Sequence, residues 1–563
     1  MLLSKTTATR AFDLLLAHRI FRLSCQQRVR SVSSHHYPTS NSISGATLDM
    51  TVVDTNLSVL DGAPPTNVWR FFAELSSIPR PSGHEEKVLQ WLKDFAAQRH
   101  LDCVQDSVGN IIICRPGSGT GTTAPPVILQ GHVDMVTEKN ADVAHDFMND
   151  PITWKRWEGG PDDWLSANGT TLGADNGIGV CAALAVLDMP PHANLPPIEA
   201  LFTVDEERGL TGAFQLEGSL LQGRTMINLD TEEWPEVFIG CAGGGDSVLT
   251  LPVRREKGQP GGVEVAITVT GLKGGHSGVE IHEDRGNALR LVASTVDTVL
   301  STLPTTRLVG MQGGDKRNAI PREATARLAA LLPQDVGSIE AIVAQREREF
   351  KEEYGSLETE LKLGVAVCSP DTPSPPPVIV PTDTKKLLNL LLTLPHGVIK
   401  YSHTVPGLVE TSSNLASITS TATSTTTTGE EEVTYRIQCS TRSSLMPPLE
   451  RVRGMIRRIG EMAGAGVEQE AAYPGWQPRP DAPIVALAKA AIASVAGRTP
   501  HVKAIHAGLE CGIIGEKLPG CESVSYGPTI RGAHSPDERV QISTVEPFWK
   551  ATVALLESLA GAA

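Results

Sequence analysis

Residues 127–134 read VILQGHVD, an aliphatic run that ends in the polar residues His132 and Asp134. A short apolar run of this kind predicts a buried β-strand. Further apolar runs lead into three other polar clusters: 201–204 into Asp205-Glu206-Glu207, 226–229 into Asp230, and 524–526, one loop earlier, into His534. Because ligand sites in open α/β sheets form beyond the carboxyl ends of strands, we expect these clusters to meet at one edge of a sheet.

Asp175 lies in the glycine-rich segment 173–179, directly before the apolar stretch 180–187, which predicts a helix. The glycines allow backbone angles that other residues avoid, and they allow close approach of the chain to a ligand. A buried carboxylate at this position is costly without a positive partner. Asp175 is therefore the candidate for a carboxylate that bridges two cations.

The types of ligand indicate the metal and the chemistry. Imidazole and carboxylate groups without thiolates suit catalytic zinc and, less selectively, manganese and cobalt. Two cations about 3.5–4 Å apart activate a shared water and polarise a substrate carbonyl. The sequence therefore predicts a hydrolytic site with two divalent ions, for which zinc is favoured and manganese or cobalt are the alternatives. The candidate ligands lie in five clusters: His132-Val133-Asp134, Asp175, Asp205-Glu206-Glu207, Asp230 and His534.

Each cluster alone has a simpler interpretation. A single His-x-Asp or Glu-Glu pair is more often a solvated surface pair than a metal ligand set, because charged residues are mostly exposed. The occurrence of all the clusters after apolar runs favours the metal site over independent surface pairs.

Five segments occur in order along the chain: GHVDMV at 131–136, GADNG at 173–177, DEERGLTGA at 205–213, GGHSG at 274–278 and HAGLECG at 506–512. Together they resemble the aminoacyl-histidine dipeptidases, also called cytosolic non-specific dipeptidases, of the dizinc exopeptidase and deacylase superfamily. The resemblance extends from about Pro64 to the C-terminus. It implies a zinc-exopeptidase-like α/β fold, in which a mixed sheet flanked by helices is interrupted by an inserted α+β lid domain.

The resemblance also implies how the ligands divide between the metals. Asp175 is the bridging ligand. His132 and Glu207 hold one metal, and Glu207 and His534 lie on different metals. Asp230 and His534 are the terminal ligands.

Two further acidic residues receive catalytic roles from the resemblance. Asp134 orients the imidazole of His132, as carboxylates behind metal-bound histidines do. Glu206 is the general base that takes a proton from water and returns it to the departing amine. We expect Glu206 and Glu207 to act separately, because consecutive residues at a strand end project in different directions.

The resemblance assigns substrate contacts to the inserted domain and to the loop near its return. His276 stabilises the oxyanion that develops on the scissile carbonyl. Asn318 and Arg442 contact the substrate, and a guanidinium group suits a free C-terminal carboxylate. Gly508 lines the same pocket through its backbone, and Glu510 is a further candidate for the substrate ammonium group.

The chain of 563 residues exceeds one ordinary hydrophobic core and predicts several domains. Alternating strand and helix patterns between about 104 and 244 predict an α/β unit. The predicted divisions are 1–60, a leader-like or disordered extension; 61–245, the first part of the catalytic domain; 246–472, the lid or substrate-binding domain; and 473–563, the second part of the catalytic domain.

The composition excludes some partners and favours a compartment. A net charge of −15 lacks the basic balance of a nucleic-acid-binding protein. No run of eighteen or more apolar residues predicts a membrane span. The nine cysteines form no Cys-x-x-Cys pair, which favours a reducing compartment. The first fifty or so residues are rich in arginine and serine and resemble an organellar transit peptide; the alternative is a disordered extension, with Met50 as an internal start that would give a cytoplasmic form.

We therefore expect an enzyme that hydrolyses unsubstituted dipeptides, including Xaa-His, and the resemblance favours a homodimer. An amidase or deacylase acting on N-acyl amino acids would keep the metals and change the pocket. A non-catalytic binding protein on the same fold is the third hypothesis, although the metal-ligand and base positions are all filled.

Overall fold

A computed structural model describes residues 48–157, 163–259, 262–330, 333–368, 376–421, 424–425 and 431–561. The described chain divides into two compact units. The first unit comprises the chain up to Gly240, then Pro478–Ala504, then the chain from Leu509 onward. The second unit comprises Cys241–Gln477 and Ile505–Gly508, so it is inserted into the first unit along the sequence.

The first part of the first unit contains α1 Met50–Val59, α2 Thr66–Ser76, α3 Glu86–Gln98, β1 Asp102–Gln105, β2 Ile111–Arg115, β3 Val127–His132, β4 Trp154–Arg156, β5 Trp164–Ala167, α4 Ala174–Leu187, β6 Ile198–Thr203, α5 Thr211–Gln215, β7 Thr225–Asn228 and β8 Val237–Cys241. The second unit contains β9 Gly243–Glu256, β10 Val263–Thr270, β11 Gly275–His276, α6 Ala288–Thr302, β12 Arg307–Gly313, β13 Ala319–Ile320, β14 Ala324–Ala330, α7 Pro333–Tyr354, β15 Lys362–Val367, β16 Val378–Ile379, α8 Pro381–Thr393, β17 Gly397–Tyr401, β18 Val409–Ser420, β19 Ser424–Thr425, β20 Glu431–Ser443, α9 Met446–Ala463 and β21 Gly466–Glu468. The chain ends with α10 Pro483–Ala496, β22 Val502–Ile505, α11 Glu510–Lys517, β23 Glu522–Ser525, β24 Ile530–Arg531, β25 Arg539–Gln541 and α12 Ile542–Gly561.

The first unit is built on an eight-stranded mixed sheet in the order β1-β2-β6-β3-β7-β23-β8-β22. Strands β6, β3, β7 and β23 run parallel to their neighbours in this group, whereas β1, β2 and β8 pair antiparallel. Every residue of β3 and β6 is buried, as expected for parallel strands covered on both faces. The carboxyl ends of β3, β6 and β7 therefore lie side by side, and the polar clusters of the sequence follow these ends.

A smaller four-stranded sheet, β24-β25-β5-β4, also belongs to the first unit. The loop between β24 and β25 carries His534, which has a φ of 64°. Because Ile530 pairs with Val540, and Val540 pairs with Leu165, the loop is attached to the first unit at both ends.

The second unit is an α+β structure on an eleven-stranded sheet with the main order β15-β10-β14-β12-β18-β20-β9-β16. Burial alternates along β9, which is the pattern of a sheet with one face on a core. Apolar residues from helices α6, α7, α8 and α9 join the inward residues of this sheet in one hydrophobic core. The unit therefore has its own core.

The divisions in the structure differ in detail from the predicted domains. The borders of the second unit lie at 240/241 and 477/478, where the sequence predicted 245/246 and 472/473. Residues 505–508 belong to the second unit, although the sequence predicted them in the second part of the catalytic domain. The backbone explains this placement, because the N–H of Ala242 donates to the carbonyls of Ile505 and Ala507 at 3.1 and 3.0 Å.

The prediction of a leader-like or disordered extension over 1–60 falls partly outside the described residues, which begin at residue 48. Within it, Met50–Val59 forms α1, so the prediction needs correction there. Buried Asn56 anchors this helix, since its amide donates to Ile152 O at 3.0 Å and accepts from Trp154 N at 2.9 Å. Of the helices in the described part of the chain, none has the length and apolar character needed to cross a bilayer.

Candidate active site

His132 is the last residue of β3 and is almost completely buried. Its Nε2 lies 3.1 Å from Asp175 Oδ1 and 3.4 Å from Asp230 Oδ1, and its Nδ1 lies 3.4 Å from Asp134 Oδ1. Burial opposes protonation of this ring, but the carboxylates of Asp230, Asp134 and Asp175 raise the pKa of His132 well above its usual value. The ring is thus held between one carboxylate behind it and two in front.

Asp134 ties the end of β3 to the loop after β6. Its two carboxylate oxygens accept the backbone N–H groups of Glu206 and Glu207 at 3.1 and 3.2 Å. Burial opposes ionisation of Asp134, but the contact with His132 and the Glu206 N–H hold its pKa at about 2. Asp134 therefore stays ionised, with Oδ1 at 3.4 Å from Nδ1 of His132.

Asp175 connects two groups of ligand atoms. Its Oδ1 faces His132, and its Oδ2 lies 3.3 Å from Nε2 of His534. The same His534 nitrogen lies 2.9 Å from Glu207 Oε2. Among the sets of possible ligand atoms that lie within 4.8 Å of one another, two contain Asp175: one with His132 and Asp230, and one with Glu207 and His534.

These contacts favour a different division of the candidate ligands from the predicted one. The sequence-based hypothesis placed Glu207 with His132, and it placed Glu207 and His534 on different metals. In the structure Glu207 and His534 are direct neighbours, whereas Asp230 is the neighbour of His132. Asp205, between the end of β6 and Glu207, has a φ of 53°, so the extended geometry of β6 does not continue to Glu207.

Glu206 lies close to His132 and Glu207, with ligand atoms of all three within 4.8 Å of one another. Burial raises the pKa of Glu206 well above its usual value, and the charges of Asp230, Glu207 and Glu510 add to this effect. Glu510, a candidate for the substrate ammonium group, is fully buried instead. Its Oε2 accepts hydrogen bonds from Gln130 and Thr203 at 2.5 and 2.6 Å.

The predicted oxyanion residue His276 and the predicted substrate-binding residues other than Glu510 belong to the second unit. His276 accepts backbone N–H bonds at Nδ1 from Gly278 and Val279, at 3.2 and 3.0 Å. An imidazole that accepts at Nδ1 carries its proton on Nε2 when neutral. His276 therefore presents an N–H donor on the far side of its ring.

Gly278 marks the point where three of these elements meet. A Cβ at this position would collide with the carbonyl oxygen of His506, and it would lie 3.1 Å from His276 Cε1 and 3.2 Å from Arg442 Cδ. Only a glycine allows this approach. His276, Arg442 and the segment that ends in Gly508 are thus brought together.

Arg442 and Asn318 differ in their exposure. Arg442 is buried on β20, and its Nε has no hydrogen-bond partner within the described residues. The side chain of Asn318 is exposed, and the backbone carbonyl of Asn318 accepts the N–H of Ser277 at 2.8 Å, next to His276. His506 lies beside Arg442, and burial together with the charges of Arg442 and His276 lowers its pKa to about 3, which keeps its ring neutral.

Two residues that support the ligands were not predicted from the sequence. Arg80 is buried and donates to the carbonyls of Val133, Asp134 and Gly173. Glu538 is buried and accepts backbone N–H groups from the segment that carries Asp175. Both residues bind backbone atoms, so the types of their partner side chains in the sequence give no indication of these contacts. Glu538 could have been suspected only because it is a charged residue four residues after the candidate ligand His534.

The fold and the paired histidine and carboxylate groups define a metal-dependent peptidase. Residues 128–558 match the peptidase family M20/M25/M40, and the chain belongs to this family.

Individual relatives agree with this classification. The cytosol non-specific dipeptidase of Escherichia coli (strain K12) is 38% identical over 503 residues, which cover 89% of this chain and 99% of that protein. The crystal structure of an aminoacylhistidine dipeptidase from Vibrio alginolyticus matches with a TM-score of 0.76 and 39% identity, over 89% of this chain and 98% of that one. An aminopeptidase from Bacillus cereus shares the fold at a TM-score of 0.53 and 17% identity, over 88% of this chain and 99% of that one.

Proposed function

We propose that this chain is a metal-dependent dipeptidase that hydrolyses the peptide bond of unsubstituted dipeptides, including Xaa-His. The observation that carries the proposal is the position of Asp175, whose two oxygens face two different histidines at 3.1 and 3.3 Å. This is the arrangement expected of a carboxylate that joins two cation positions. The likeness to a dipeptidase over 99% of that relative's length supports the choice of substrate.

The residues of the cluster fit two divalent cations. Three carboxylates and two imidazoles converge, and Glu207 Oε1 is buried without a hydrogen-bond partner among the described residues. Buried carboxylates that face one another need positive charge. We propose zinc, since the donors are nitrogen and oxygen only; manganese and cobalt accept the same donors. His132 and Asp230 would hold one ion, and Glu207 and His534 would hold the other. Asp175 would contact both ions.

When bound, such ions lower the pKa of a shared water and polarise the scissile carbonyl. Glu206 is the proposed general base, because it lies next to the cluster while Glu207 takes the position beside His534. It would accept the proton of the attacking water and deliver it to the departing amine. Asp134 would hold the imidazole of His132 in one orientation during both transfers.

The second unit is the proposed lid or substrate-binding domain. The Nε2–H of His276 would donate to the developing oxyanion. Arg442 has a buried donor available for a substrate carboxylate, which would favour dipeptides because a longer peptide places a neutral amide there. Asn318 and the backbone of Gly508 would complete the contacts with the substrate.

We also propose a homodimer and a cytoplasmic or organellar location. The Escherichia coli relative is named for the cytosol, which supports the cytoplasmic alternative. The composition of residues 1–60 supports the organellar alternative.

A substrate panel on the zinc-loaded protein tests the proposed function. We expect hydrolysis of dipeptides such as Ala-His, with slow or no cleavage of the matched tripeptide and of the N-acetyl amino acid. Cleavage of the N-acetyl amino acid alone would show a deacylase, and zinc binding without cleavage of any substrate would show a binding protein. Metal analysis of the same sample identifies the bound ion.

A further inference from the structure

Glu538 holds the segment that carries Asp175. Its side chain is only 2% exposed, and its carboxylate accepts four consecutive backbone N–H groups. These are the N–H groups of residues 172–175, at 2.7, 2.9, 2.7 and 3.2 Å in chain order. The last of them is the N–H of Asp175 itself. Asp175 is outside helical geometry, with a φ of −78° and a ψ of 116°, so the helix α4 alone does not fix its position.

Arg80 holds the same segment from a second direction. It is also 2% exposed, and its Nη2 donates to the carbonyl of Gly173 at 2.5 Å. Its Nη1 donates to the carbonyls of Val133 and Asp134, both at 2.9 Å. Gly173 has a φ of 69°, and a Cβ there would collide with Nη2 of Arg80. The approach of the guanidinium therefore requires glycine.

Each of these residues links the Asp175 segment to the chain around another ligand. Arg80 binds the two residues that follow His132, and Glu538 is four residues after His534. We propose that Arg80 and Glu538 are positioning residues that fix the carboxylate of Asp175 between His132 and His534. The inference rests on the metal site of the proposed function, and neither residue is assigned a contact with substrate.

The charge of Glu538 and of Arg80 matters because each side chain forms more hydrogen bonds with the backbone than a neutral side chain could form. A carboxylate is an acceptor at both oxygens, so it satisfies four N–H groups at once. A guanidinium group donates in a fixed fork, so it satisfies three carbonyls on two segments. Loss of residues that orient metal ligands weakens metal binding by about 10–100-fold. We expect this range for zinc.

The test is Glu538→Gln, with Glu199→Gln as the matched control. Glu199 is also fully buried, and it accepts the backbone N–H groups of Gln222 and Gly223. It lies near the start of β6, whereas the ligands follow strand ends. Zinc affinity of the metal-free proteins is measured by competition with a chromogenic chelator, and thermal melting of the same samples reports folding.

We expect Glu538→Gln to bind zinc about 10–100-fold more weakly. The control should melt at a lower temperature than the wild type and bind zinc within about twofold of it, because the loss of charge-assisted hydrogen bonds affects stability at either place. Unchanged zinc affinity in folded Glu538→Gln, or equal weakening in Glu199→Gln, would overturn the proposal.

Arg80→Lys provides a second route if Glu538→Gln does not fold. Lysine keeps the positive charge but cannot form the three-carbonyl fork. Weaker zinc binding in folded Arg80→Lys supports the positioning role, and wild-type affinity rejects it. These measurements use no substrate. If the dipeptidase proposal is wrong, the substrate panel will show it. If only this inference is wrong, the wild-type protein will still hydrolyse dipeptides.

Discussion

Nε2 of His534 lies 2.9 Å from Oε2 of Glu207, although the two residues lie in loops that follow strands of different sheets in the first unit. In the proposed site, this contact marks one cation position, and the contact between His132 and Asp230 marks the other. Asp175 belongs to both groups of candidate ligands. The pairing of ligands therefore follows from the loops after β6 and β24 rather than from the order of the ligands in the sequence.

The pairing predicts which substitutions remove the same ion. His534→Ala and Glu207→Ala should each leave one zinc per chain, and the double variant should also leave one, because both residues contact the same position. His534→Ala combined with Asp230→Ala should leave none. The number of zinc ions per chain is measured by inductively coupled plasma mass spectrometry after free metal has been removed. Complete zinc loss in the first double variant would reject the pairing.

Glu206→Gln should keep the zinc content of the wild type and lose turnover. General acid–base catalysis contributes about 10²–10⁴-fold, so kcat for a dipeptide should fall within that range. The matched control is Glu516→Gln, an exposed glutamate on α11, which should leave kcat unchanged. If Glu206→Gln loses zinc together with activity, the residue is a ligand rather than the base.

The strands that precede the candidate ligands could be predicted from the sequence. The aliphatic runs before His132, Asp205 and Asp230 form β3, β6 and β7, since a fully buried strand reads as a continuous apolar run. Parallel pairing of these strands then places their carboxyl ends together. Strand ends were therefore predictable from local composition.

The directions of the side chains beyond those ends were not predictable in the same way. Asp205 and His534 have φ values of 53° and 64°, which the sequence does not encode in any simple pattern for residues other than glycine. Arg80 and Glu538 bind backbone groups, which nearly every residue carries, so the sequence does not show which residues are their partners. The helix α1 also escaped prediction, because its stabilisation depends on the long-range bonds of Asn56.

Removal of metal should lower the stability of the first unit as well as abolish activity. A ligand that binds the folded state at 100 times its Kd stabilises it by about 2.7 kcal/mol, and that contribution is lost with a chelator. The carboxylates of Asp175, Glu207 and Asp230 are then left close together. Differential scanning calorimetry should show a lower melting temperature in the chelated protein, restored by zinc but not by magnesium, which prefers octahedral oxygen ligands. An unchanged melting temperature would contradict tight binding of two metal ions in this site.

His276→Ala should lower kcat without a loss of zinc. Removal of one donor to an oxyanion costs about 10²–10³ in kcat, and His276 lies in the second unit, apart from the proposed ligands in the sequence. His282→Ala, an exposed histidine on the same segment, is the control and should behave as the wild type. A change in KM alone would indicate that His276 binds the ground state of the substrate and does not stabilise the oxyanion.

Arg442→Lys should raise KM for dipeptides far more than for the corresponding dipeptide amides. The Nε of Arg442 is a buried donor without a partner among the described residues, and a lysine cannot grip a carboxylate at two points. Hydrogen bonds to charged groups contribute about 1.5–3 kcal/mol, which corresponds to roughly 10–100-fold in KM when binding is at equilibrium. Arg436→Lys, an exposed arginine on the same strand, should leave both substrates unaffected. Steady-state kinetics with Ala-His and Ala-His amide measure the difference, and an equal rise in KM for both substrates would show that Arg442 does not recognise the terminal carboxylate.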